Sequence, residues 1–80
     1  MKVQVKLMAT LRNKLPPDTK GGTVQLDLDA GATVATVLER FDIANNLVHV
    51  VMVNDAMETE RGRALADGDN LVIIPPVAGG

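Results

Sequence analysis

The run Leu71-Val72-Ile73-Ile74, closed by Pro75-Pro76, constrains this chain more than any other feature. Four consecutive apolar residues, three of them β-branched, read as a strand with no polar side. Such a strand belongs in the middle of a sheet or against a surface that another protein covers. Asp67-Gly68-Asp69-Asn70 supplies the turn into it. The two prolines restrict φ and favour an extended exit. With 80 residues the chain has room for one small domain, expected to span residues 1–80 with a flexible tail over 76–80.

The remaining elements follow from hydrophobic period. Val3, Val5 and Leu7 alternate with Lys2, Gln4 and Lys6, which predicts a half-buried strand over residues 2–8. Val24, Leu26 and Leu28 repeat the pattern over 23–29. Between them, Pro16-Pro17-Asp18 and Gly21-Gly22 mark a long exposed connection from Ala9 to Gly22. The period then changes: Val34, Val37, Leu38 and Phe41 form one helical stripe, with Thr33 placed as N-cap. The helix should end near Phe41, and Asn45-Asn46 tolerate the left-handed conformation that terminates helices. Val48 to Val53 reads as a third strand, with Asn54-Asp55 as its turn. Glu58 to Arg63 is polar, broken at Gly62, and reads as irregular with room for a short fourth strand. Strand, strand, helix, strand, weak strand, strand describes an α+β domain whose single helix covers one sheet face.

Composition narrows the function. The chain has no Cys, so disulfides, thiolate nucleophiles and cysteine-built zinc or iron–sulfur sites are excluded. A net charge of −2, one Phe and no Trp or Tyr argue against nucleic acid as the main partner. No segment approaches membrane-spanning length, so a soluble, cytoplasmic chain without a membrane partner is expected.

Single residues weigh as follows. His49, the one side chain that ordinarily titrates near neutrality, has no visible acid/base companion and reads as a structural or surface residue. Asp67-Gly68-Asp69 lacks the further oxygen donors of a calcium loop and reads as a turn. Gly21-Gly22 lacks the Lys-Ser/Thr that follows the glycines of a phosphate loop. Met1, Met8, Met52 and Met57 share no helical face and read as core filler or interface. Arg12 and Lys14 either pair with an acidic partner or solubilise their loop, the ordinary fate of exposed charge. A self-contained enzyme is not expected, and no cofactor is expected to be bound by this chain.

The C-terminal residues differ. Gly79 and Gly80 carry no Cβ, so the backbone can thread a slot too narrow for side chains. Four residues beyond Pro76 reach about 13 Å when extended.

The succession Asp67-Gly68-Asp69, Leu71-Val72-Ile73-Ile74, Pro75-Pro76-Val77-Ala78, Gly79-Gly80 resembles the C-terminal signature of the ubiquitin-like MoaD/ThiS sulfur carriers. The diproline is similar to the molybdopterin synthase small-subunit branch, as are Met8-Ala9-Thr10-Leu11-Arg12 and Gly31-Ala32-Thr33-Val34. Members often carry aromatics in the first and last strands, where this chain has Leu7, Met8, Ile73 and Ile74. The resemblance implies a β-grasp fold with a mixed four- to five-stranded sheet. It implies that a ubiquitin-activating-type enzyme uses ATP to adenylate the Gly80 carboxylate, which is then converted to a thiocarboxylate. Pro75, Pro76, Val77, Ala78 and Gly79 would be the inserted tail. The large subunit of molybdopterin synthase would be the second partner, receiving sulfur for a pterin precursor in molybdenum or tungsten cofactor assembly. The chain would then be a non-catalytic subunit. On this basis the helix-free sheet face, with Val51, Val72 and Ile74, and Arg12 beside it, is expected to bind both partners. The alternatives are a ubiquitin-like modifier joined to lysines, a sulfur carrier for thiamine or tRNA thiolation, or a plain interaction module.

Overall fold

The structure is a computed structural model describing residues 1–17, 19 and 21–76. Five strands form one mixed sheet: β1 (Lys2–Leu7), β2 (Thr23–Asp27), β3 (Val50–Val53), β4 (Ala56–Glu58) and β5 (Asn70–Ile74). Their order is β2-β1-β5-β3-β4, which places the wholly apolar β5 at the centre, as its composition requires. β5 runs parallel to β1 and antiparallel to β3, while β1–β2 and β3–β4 are antiparallel pairs. With α1 (Val34–Arg40) over one face, this is the ubiquitin-like β-grasp fold.

The core follows the alternation. Val3, Val5 and Leu7 of β1, Leu71 and Ile73 of β5, and Val51 and Val53 of β3 are buried in one cluster with Val34, Val37 and Leu38 of α1. A helix this short does not persist alone, so packing and capping hold it. Thr33 Oγ1 accepts from the Thr36 amide at 3.3 Å, and Thr36 Oγ1 accepts from the Thr33 amide at 3.0 Å. The next orphan amides, of Val34 and Ala35, donate to the carbonyls of Arg63 and Arg61 at 3.2 and 2.8 Å. The polar segment after β4 is therefore the backbone cap of the helix.

Several boundaries differ from the sequence reading. The helix is ended by Asp42 at φ 56, not by Asn45-Asn46, which begin a 3-10 turn over Asn45–Leu47. The amides of Asp42 and Ile43 donate to the carbonyls of Glu39 and Leu38, closing the C-terminus while Ile43 packs into the core beside Leu38. That turn shortens the third strand to Val50–Val53. Asn54 and Asp55, at φ 52 and 70, form a two-residue hairpin turn that starts β4. The connection after β1 is not loop throughout: Ala9–Lys14 is a 3-10 helix anchored by buried Leu11.

Candidate functional site

β5 delivers the chain to its C-terminal segment, and its neighbours stop where it stops. The Met8 amide donates to the Ile73 carbonyl at 3.1 Å, and the His49 amide to the Ile74 carbonyl at 2.8 Å. Pro75 and Pro76 have no N–H, so neither flanking ladder can continue. Pro75 is buried and Pro76 exposed. The two line a groove together with Leu11 and Lys14 of the 3-10 helix and Leu47 of the Asn45–Leu47 turn. The root of the tail thus starts in this groove. The expected tail residues Val77, Ala78, Gly79 and Gly80 lie outside the described residues.

Register defines the helix-free face beside that root. Lys6 pairs with Val72, Val72 with Met52, and Met52 with Met57, one row across four strands. Val50 pairs with Ile74 on the same side. Toward β1 and β2 the face turns polar, with Lys2, Gln4 and Lys6 opposite Asp27, Gln25 and Thr23. The apolar half, made by β5, β3 and β4, therefore runs from Met57 to Ile74 and on to the prolines. Val72 and Ile74 stand here, half-buried, as expected. Val51 does not. It pairs with Ile73 and is 0% exposed, so it belongs to the core under the helix; Val50 and Met52 take its place on the open face. Paired residues project to the same side, which puts Val51 with odd-numbered Ile73.

Arg12 is exposed on the 3-10 helix, and its guanidinium lies over Gly22, where an added Cβ would meet Nε at 3.0 Å. His49 is exposed just before β3. Asp67 and Asp69 act as turn acceptors around Gly68 at φ 87: Asp67 Oδ1 accepts from the Lys2 amide at 2.6 Å. Asp69 accepts from the Ala66 amide and from Asn54 Nδ2, both at 2.8 Å. The Ala66 bond, then the Asn54 bond, hold the Asp69 carboxyl below its ordinary value against the opposing effect of burial. No helix among the described residues is long and apolar enough to cross a membrane.

The sequence model of the ThiS family matches residues 5–80, and the chain belongs to that family of ubiquitin-like sulfur carriers and modifiers. Among solved structures it is similar to SAMP1 from Haloferax volcanii, with 26% identity over 100% of both chains and a TM-score of 0.71. A putative molybdopterin converting factor subunit 1 from Pyrococcus furiosus shares the fold at 23% identity and TM-score 0.70, over 95% of this chain and 98% of that one. So does a complex of subunits 1 and 2 of the molybdopterin-converting factor from Helicobacter pylori, at 21% identity, TM-score 0.59 and full coverage of both chains. No curated protein matches the chain.

Proposed function

We propose that this chain carries sulfur on the Gly80 carboxylate for molybdopterin synthesis. The observation that supports it is the diproline root, which ends the central strand between two halted ladders, beside an apolar face and directly before Val77-Ala78-Gly79-Gly80 in the sequence. A carboxylate oxygen leaves poorly, so activation precedes sulfur transfer. In the adenylating partner the Gly80 oxygen attacks the α-phosphorus of ATP and pyrophosphate leaves. Hydrosulfide then attacks the acyl carbon and AMP departs, leaving the thiocarboxylate. This chain contributes position, not acid/base groups: the face docks, and the root aims the tail. ATP belongs to the partner's site.

The second proposed partner is a molybdopterin synthase large subunit, the kind of assembly in which the Helicobacter fold is found. The diproline followed by Val77-Ala78 supports the pterin branch. Similarity to SAMP1, a small archaeal modifier protein, over the whole of both chains supports a second reading, in which activated Gly80 forms isopeptide bonds with lysines.

Intact-mass spectrometry tests both. With ATP, a sulfur donor and its adenylating enzyme, the chain should gain one sulfur in place of one oxygen, mapped to Gly80, and a chain lacking Gly80 should gain none. An unchanged mass in the full chain, with lysine-linked conjugates accumulating in lysate, would replace the carrier reading by the modifier reading.

A further inference from the structure

All sulfur in this chain is thioether, and three of its four methionines stand on the helix-free face. Met52 and Met57 are directly opposite across the β3–β4 hairpin, and Met52 is next to Val72 of β5. Met8 follows β1 with extended angles, φ −101 and ψ 153, so it keeps the alternation that puts Lys6 on this side. Met57 is 66% exposed on the edge strand, whereas Met8 and Met52 are half-buried. Sulfur at Met57 is thus open to a small oxidant, at the edge of the row that runs through Met52 and Val72 to Lys6.

We propose that Met57 is an oxidation site through which hydrogen peroxide uncouples this face from the adenylating enzyme, an inference that rests on the docking role proposed above. The Met57 sulfur attacks one peroxide oxygen, the O–O bond breaks and an S–O bond forms. The proton of the transferred oxygen passes to the departing hydroxide, giving water; sulfur loses the two electrons that peroxide gains. The β3–β4 backbone ladder is untouched, so the fold persists. The sulfoxide, however, must lose water on docking against an apolar surface, which weakens association about tenfold.

The test treats the full chain with limiting hydrogen peroxide and maps the product by peptide mass spectrometry. Met57 should oxidise ahead of Met1, Met8 and Met52; equal or slower oxidation overturns the assignment. The singly oxidised chain is then titrated against its adenylating enzyme, with a thermal melt as fold control. Binding should fall about tenfold with an unchanged melt, and Met57→Gln should reproduce the loss. In Met57→Leu the difference between peroxide-treated and untreated protein should vanish, whatever its starting affinity. Undiminished binding of the Met57 sulfoxide overturns the inference alone if Val72→Asp still abolishes docking. If Val72→Asp also binds undiminished, the docking reading falls first and this inference with it.

Discussion

Asp69 and Gly22 show how single residues fix the starts and ends of strands, Asp69 before β5 and Gly22 at the end of β1. Asp69 is 8% exposed, and its two oxygens satisfy Ala66 and Asn54 while Asn54 Oδ1 accepts from the Asn70 amide at 2.9 Å. This network ties the turn before β5 to the hairpin after β3. Because the folded carboxyl sits below its ordinary value, its stabilisation is complete above the unfolded value of about 3.9 and is lost as pH falls through the folded one. Asp69→Asn puts an NH2 against one of two donors. It should cost about 1–2 kcal/mol near neutrality and flatten the acid limb of a denaturation series below about pH 4. At the end of β1, Gly22 sits at φ 71 with the Leu7 carbonyl 3.2 Å from where a Cβ would stand. Gly22→Ala should lower stability by about 1–2 kcal/mol, read from the urea midpoint, since Leu7 donates its amide to Gly22 and cannot retreat.

At the scale of elements, period was a sufficient guide where it was long. Strands β1 and β2 and the α1 stripe are legible because each repeats its spacing three or four times, and β5 because its apolar run is unbroken. β4 has three residues, Ala56, Met57 and Glu58, and carries no period; the signal for it was the Asn54-Asp55 pair, a two-residue turn that commits the chain to return. The 3-10 helix was hidden because its single buried residue, Leu11, offers no repeat. The helix end near Phe41 was legible, but the left-handed residue that closes it was not, because such a residue is commonly Gly or Asn and here it is Asp42. That conformation makes a prediction: Asp42→Gly removes the Cβ from a left-handed position whose own amide already bonds Glu39 and whose neighbour Ile43 already bonds Leu38. Stability should rise by about 0.5–1 kcal/mol in thermal or urea unfolding, with the helical circular dichroism unchanged.

For the whole molecule, the tail residues proposed for the site stand out in the sequence because Pro-Pro and Gly-Gly act through backbone properties visible there. The make-up of the open sheet face does not, since which of two alternating sets points outward depends on register with neighbouring strands. Val51 and Val72 are chemically alike, and only the pairing of Val51 with Ile73 and of Val72 with Met52 separates them. The pair therefore tests the two-sided design. Val51→Asp places a carboxylate in a fully buried cluster and should cost more than about 3 kcal/mol, enough to unfold much of the population. Val72→Asp lies on the open face between Lys6 and Met52, so the melt should move by a few degrees at most. Its adenylation should nevertheless collapse, because docking desolvates the new charge against an apolar partner. Measured side by side by thermal melting and by ATP-dependent mass change at Gly80, the two variants should fail in opposite ways. If Val72→Asp is adenylated at the parent rate while folded, the enzyme approaches Gly80 without using this face, and the tail alone directs the encounter.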